Sequence, residues 1–256
     1  MPMRIAVCVK RVPITGGRIV LTADGRAIDT QHLGFTYSPH EECGVEEAVR
    51  LVEAKGGESV VLTLGPPEAV EQLRDAMALG IDRGIHLQTD GSEWDAEGTA
   101  GALLDAIRAD EAANGPFDIV FFGNESADSA GFQVGVRVAY GLGRPCVTGL
   151  KKVTVEAAGV RCEQEVEAGR DVYVVPLPAV LTVKEGLNLP RYPSVPGRMR
   201  ARSKPVAVVT PQRPTPRLEL VRLVLPAGSG RRAEPLGAGA GAAPAVVEVL
   251  VRAGVL

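Results

Sequence analysis

Phe117-Asp118-Ile119-Val120-Phe121-Phe122 runs without interruption into Gly123-Asn124-Glu125-Ser126-Ala127-Asp128-Ser129-Ala130-Gly131-Phe132-Gln133-Val134-Gly135. Successive apolar residues suit a strand covered on both faces, because a half-exposed strand alternates apolar with polar. Beyond the glycine-punctuated loop, Val134, Val138 and Leu142 fall on one side of a helix. A buried strand that hands over to a helix in this way is half of a βαβ unit.

The same unit recurs towards the N-terminus. Arg4 to Val9 and Ser59 to Leu64 read as buried strands, and Gly84 to Leu87 as a weaker one. Val45, Ala48, Val49 and Val52 form an i, i+3, i+4, i+7 stripe. Its helix opens at Ser38-Pro39-His40-Glu41, a capping serine with proline at the first helical position and an acid three residues on, and stops at Gly56-Gly57. Val70, Leu73 and Met77 mark a second helix, and Leu103, Leu104 and Ile107 a third. The expected fold is α/β: a doubly wound, mostly parallel, Rossmann-like sheet.

From about residue 146 the rhythm changes. Val153 to Val155 and Arg161 to Val166 flank Ala157-Ala158-Gly159 as a hairpin, and Asp171 to Val175 and Ala179 to Val183 read as further strands that extend the sheet antiparallel. Gly186 to Pro214, dense in proline and arginine, reads as an irregular arm. Ala227 to Ala243 has the composition of a flexible linker, and Val246, Val247, Leu250 and Val251 form a terminal helical stripe. A short helix beyond a linker cannot bury its own face, so a docking partner is expected. The expected division is an α/β domain at 1–205 and a C-terminal arm at 206–256.

Composition excludes several classes. With 256 residues, 45% hydrophobic and a net charge of −3, the chain can build a full core and has no global disorder signature. The mild acidity argues against nucleic-acid binding, and no apolar run is long enough for a membrane span. Cysteines 8, 43, 146 and 162 contain no C-x-x-C pair, which disfavours a zinc knuckle, an iron–sulfur site or a disulfide framework. The start passes directly into a strand without a signal-peptide pattern, so a cytoplasmic location is expected, or the mitochondrial matrix in a eukaryote.

In an open parallel sheet, ligands bind beyond the carboxyl ends of the strands, where strand order reverses. The 123–135 loop is the richest there. Asp128 or Ser129 is expected to cap the following helix, leaving the amides of residues 131–134 to face a phosphate. An ordinary capped turn is the alternative. No G-x-G-x-x-G follows the first strand and no G-x-x-x-x-G-K-[ST] occurs, so a nucleotide here is expected to be bound and not hydrolysed. His86 reads as a core residue, and His40 could line the crevice. Glu163, Glu165 and Glu167 alternate, which suggests a solvated strand face, with an ion pair facing a partner as the sharper alternative. No nucleophile–base pair or metal constellation emerges, so neither catalytic residues nor a metal are expected.

Val183 to Arg202 (VKEGLNLPRYPSVPGRMRAR) strongly resembles the signature of the electron-transfer flavoprotein β-subunit family. The likeness continues through residues 7–12, 44–51, 78–86 and 123–135, and is colinear over about 3–210. It implies an electron carrier, not an enzyme: a heterodimer whose larger α subunit holds most of the FAD, while β holds a structural AMP. By motif position the cofactor residues would be Cys8, Ser38, Pro39, His40, Glu41, Leu64, Gly123, Asn124, Asp128, Gly131, Phe132, Gln133 and Val134. His40 occupies an aromatic position near the flavin. The resemblance makes 1–205 a nucleotide-binding domain with a partner-recognition loop at 184–204; Arg191, Tyr192, Val195, Pro196 and Met199 fall in that loop, which docks acyl-CoA and related flavin dehydrogenases, with Val195 at an anchor that is more often Leu and with Arg191, Arg198, Arg200 and Arg202 expected to rim it with positive charge. Glu165 matches a position paired with an arginine of α. Electrons would pass on toward a quinone reductase, and the terminal helix would dock on α. Two alternatives are a bifurcating-type subunit with a second FAD in place of AMP and a stand-alone adenine-nucleotide sensor.

Overall fold

A computed structural model describes residues 2–16, 19–226 and 233–256. The strands and helices, in chain order, are β1 (Met3–Cys8), β2 (Val12–Pro13), β3 (Phe35–Thr36), α1 (Pro39–Lys55), β4 (Gly57–Gly65), α2 (Val70–Leu79), β5 (Arg83–Gln88), α3 (Ala96–Asn114), β6 (Ile119–Gly123), α4 (Val134–Leu142), β7 (Cys146–Glu156), β8 (Gly159–Val166), β9 (Gly169–Val175), β10 (Ala179–Val183), α5 (Val195–Ser203), β11 (Val206–Val209) and α6 (Ala243–Arg252). They fall into two compact units. The first joins Met1–Val20 with Asp29–Leu220; the second joins Leu21–Ile28 with Val221–Leu256.

The first unit holds a nine-stranded sheet of order β11-β5-β4-β1-β6-β10-β7-β8-β9, parallel from β11 to β7 and antiparallel through β8 and β9. Strand alternation feeds two cores. Ile5, Val7, Val61, Ile119, Phe121 and Leu181 pack with α1 and α2. Their neighbours Ala6, Cys8, Val60, Leu62, Val120, Phe122 and Val180 pack with α3 and α4. Both faces of the central strands are therefore apolar, which is why these runs do not alternate. His86 is buried in β5, its Nε2 within 3.3 Å of the Gly65 carbonyl and 3.1 Å of the Pro66 carbonyl.

Three sequence expectations need correction. Ala179–Val183 is not an antiparallel extension: β10 lies parallel between β6 and β7, with Ala179 opposite Ile119 and Val183 opposite Gly123. The 186–214 arm is not irregular throughout. It contains α5, started by Ser194, whose hydroxyl accepts from the Gly197 amide at 3.1 Å, and β11, which adds to the sheet edge beside β5. Nor are the alternating glutamates a uniformly solvated face, because Glu163 is buried among Lys152, Arg161 and Arg170 at 3.3–3.5 Å while Glu165 is exposed.

The second unit contains an isolated bridge, Leu21 to Ile28, a Leu223 amide donating to the Gly25 carbonyl at 2.7 Å, and α6. The terminal helix expected from the valine stripe is present, and none of its residues is buried. Residues 227–232 of the expected linker lie outside the described residues.

Candidate functional site

The chain runs from β1 outward to β4 and β5 on one side, then returns through α3 to β6 on the other side of β1. Strand order therefore reverses between β1 and β6, and the crevice lies at their carboxyl ends. Cys8 ends β1, Leu64 is the penultimate residue of β4, and Gly123 ends β6. The Cys8 thiol is buried, which pushes its pKa far up with a smaller contribution from Glu41, so it serves as packing and not as a nucleophile.

The short β2–β3 pairing, Val12 opposite Thr36, brings the segment after β1 beside the start of α1. There Glu41 closes the wall. Its Oε2 accepts from the Ser38 amide at 2.8 Å and the Ser38 hydroxyl at 3.1 Å, and its Oε1 accepts from the Lys10 amide at 2.8 Å. Burial pushes this carboxyl up to about 8, against the downward pull of the Ser38 and Lys10 donors. Across from it, Gly123 has room for no side chain: a Cβ would stand 2.7 Å from Glu41 Cγ.

The loop after β6 is fastened at Asn124, at Glu125, whose carbonyl accepts from the Ser38 hydroxyl at 3.4 Å, and at Asp128. The Asn124 amide donates to the Val183 carbonyl at 2.9 Å, and Asn124 Oδ1 accepts from the Thr182 hydroxyl at 2.9 Å. Asp128 lies 2.7 Å from the Lys10 ammonium. Burial would raise the Asp128 pKa, but Lys10 outweighs it and the net shift is downward. Asp128 and Ser129 therefore do not cap α4, as the sequence suggested. The helix begins six residues after Asp128, and Gln133 precedes it without a side-chain cap. Ala130 and Phe132 take left-handed backbone with φ of 45° and 54°, a conformation costly for residues with a Cβ, while Gly131 between them opens to free space. After this bend α4 starts uncapped, with Gly135 packed against Phe122 of β6 and Thr182 of β10, and uncapped helix amides are suited to an anion.

Beside the crevice, His40, Glu125, Lys151, Glu165, Lys184 and Glu185 line a groove of about 530 Å³. The fold thus brings His40 and Glu165 together from α1 and β8. His40 is half-buried, and its Nδ1 is enclosed with no hydrogen-bond partner among the described residues. Burial lowers its pKa, so the imidazole is neutral at pH 7. Pro39 is exposed beside it.

The arm residues form a separate surface. Tyr192, Val195 and Met199 are 96%, 73% and 68% exposed, and Pro196 is exposed with them. Arg191 does not contribute free positive charge, contrary to expectation. Its guanidinium grips Glu46 at 2.9 Å and Glu53 at 2.7 Å on α1, and the Asn188 amide group donates to Glu47 at 3.0 Å. The site residue that the sequence reading passed over is Lys10; its signal was a basic pair, Lys10-Arg11, at the carboxyl end of a central strand. Among the described residues no group of three or more His, Cys, Asp or Glu side chains could hold a metal ion, and no helix is long and apolar enough to cross a membrane.

A doubly wound sheet with its crevice between β1 and β6 defines a Rossmann-like α/β protein. The family profile of the electron transfer flavoprotein domain matches residues 26–214. Curated relatives include the electron transfer flavoprotein subunit beta of Mycobacterium tuberculosis, 35% identical over 212 residues (80% of this chain and 78% of the relative). That of Syntrophomonas wolfei is 35% identical over 228 residues, covering 88% and 87%. The electron transfer flavoprotein subunit beta, mitochondrial, of Arabidopsis thaliana is 35% identical over 213 residues, 82% of each. The chain belongs to the electron-transfer flavoprotein family, on the side of its β subunits.

Proposed function

We propose that this chain holds an AMP in the β1–β6 crevice, joins an α subunit to enclose that subunit's FAD, and docks flavin dehydrogenases, acyl-CoA dehydrogenases among them, so that electrons pass toward a quinone reductase. The observation that carries the reading is the strained 123–133 loop, which leads from β6, beside the point where strand order reverses, into an uncapped helix and so supports a phosphate site there. The residues fit a nucleotide monophosphate: Gly131 leaves space for a phosphate, and Gly123 lets the loop lie against Glu41.

When bound, FAD supplies the one- and two-electron chemistry. The chain's own residues bind, orient and exclude water. The groove that holds His40 and Glu165 is the surface offered to the flavin-bearing subunit, with a neutral imidazole whose enclosed Nδ1 has no partner among the described residues. The exposed valines of α6 offer α an apolar face. Tyr192, Val195 and Met199 offer a dehydrogenase a second one, held in place by the Arg191–Glu46 pair.

The test is co-expression with the α subunit. The reading predicts a yellow heterodimer whose flavin is bleached by an acyl-CoA dehydrogenase and its substrate. A colourless, monodisperse single chain that ignores α would instead support a nucleotide sensor.

A further inference from the structure

We propose that Lys10 is the positioning residue of the nucleotide loop: seated on a backbone fixed by Glu41 and paired with Asp128, it holds residues 123–133 in the conformation that receives a phosphate. This rests on the reading that the crevice takes an adenine mononucleotide.

Lys10 stands where three connections meet. It is the second residue after β1; Asp128, 2.7 Å from its ammonium, belongs to the connection after β6, and Glu93, at 3.4 Å, to the connection after β5. Its own amide donates to Glu41 at 2.8 Å, so its position is tied to the start of α1 as well. Burial pulls the ammonium's pKa down, yet Glu93 and Asp128 outweigh it and the net shift is upward, so Lys10 stays charged.

Left-handed Ala130 and Phe132 persist only if their surroundings over-determine them. Contacts inside the loop are local: the Ser126 and Ser129 hydroxyls stand 2.8 Å apart, and the Ala130 amide donates to the Ser126 carbonyl at 3.0 Å. Neither fastens the loop to the sheet. Asn124 ties the base of the loop to β10, the Ser38 hydroxyl holds Glu125 to the start of α1 at 3.4 Å, and the Lys10–Asp128 pair ties its middle to the segment after β1, just ahead of the strained residues. With two carboxylates already around it, the ammonium acts on the ligand through the loop and not by contact.

The full chain with its α subunit is compared as wild type, Lys10→Met, Lys10→Arg, Asp128→Asn and the Lys10→Met/Asp128→Asn double variant. Two readouts are AMP retention by equilibrium dialysis and amide hydrogen exchange over 124–133. Lys10→Met is expected to speed exchange in that segment and to weaken AMP retention about tenfold, with no further loss on the Asp128→Asn background. Lys10→Arg should keep most of both. Wild-type exchange and retention in Lys10→Met would overturn the proposal, and so would a loss that multiplies with Asp128→Asn, since Lys10 would then act on AMP directly. A wild type that takes no AMP retires the mononucleotide reading, while hydrogen exchange still decides whether Lys10 sets the loop.

Discussion

Arg74 and Lys204 cap each other's helices. The Arg74 guanidinium, on α2, donates to the Ala201 and Lys204 carbonyls at the end of α5, at 2.5 and 2.6 Å. The Lys204 ammonium, just past α5, donates to the Met77 and Ile81 carbonyls at the end of α2, at 3.1 and 2.6 Å. Each cation meets the negative end of the other helix's dipole and adds a charged donor to carbonyls of the last turn, where Met77 and Ala201 otherwise accept only a long backbone bond, 3.3 Å from the Gly80 amide and 3.4 Å from the Lys204 amide. The pair seats the helix that carries Val195 and Met199. It lies so close to α2 that a Cβ on Gly197 would stand 2.5 Å from the Ala78 carbonyl oxygen.

Removing one half of this exchange should therefore loosen the surface proposed for docking. Arg74→Ala is expected to cost about 1–3 kcal/mol in denaturant unfolding, because two charge-assisted hydrogen bonds to the end of α5 are lost. It should also raise the KM for a partner dehydrogenase more than it lowers turnover. An unchanged unfolding midpoint would contradict the mutual-capping account.

Glu41 gives a pH dependence of unusual sign. Its folded pKa of about 8 lies above the ordinary 4.5, so the native state keeps a proton that the unfolded chain has released between those values. Stability should then fall as pH rises through that window and level off above it. Glu41→Gln should remove this slope and be the more stable protein at pH 8, read from unfolding curves at a series of pH values. A wild type that gains stability from pH 5 to 8 as steeply as the variant would contradict the assignment.

Asp110 works in the opposite direction. Burial would raise its pKa, but Arg83 and Arg4, each 2.7 Å away, outweigh it and hold the carboxyl below the usual aspartate value. Its contribution is complete above the ordinary value near 3.8 and is lost as pH falls through the lowered one. Asp110→Asn, which leaves two partly buried guanidinium groups short of a counter-charge, should destabilise at pH 7 and show a shallower further loss below pH 4.

Gly123 tests the crevice wall. Gly123→Ala forces a methyl group within 2.7 Å of Glu41 Cγ and 3.3 Å of the Glu125 carbonyl, and should cost about 1–3 kcal/mol. The variant should retain less AMP than an equally destabilised core variant such as Ile107→Val. Equal retention in the two would separate the wall from the nucleotide.

The central strands were legible because β1, β4 and β6 bury both faces and so carry unbroken apolar runs. Strand β10 has the same composition, but its place is set by pairing with residues about sixty positions earlier, Ala179 with Ile119, and nothing within five residues encodes that. Helix α5 hid behind Pro196, Gly197 and its arginines, which erase the apolar period. Its start, Ser194-Val195-Pro196, nonetheless repeats the serine and early proline that marked α1. Asp128 was misread as a cap because sequence shows a polar residue ahead of a helix but not the Lys10 that claims it across 118 positions.

The measurement that bears most directly on the central reading is the nucleotide content of the complex purified with its α subunit, by acid extraction and chromatography. One FAD and one AMP per heterodimer are expected. Two FAD molecules, or FAD with no adenine mononucleotide, would contradict the assignment of the β1–β6 crevice to AMP.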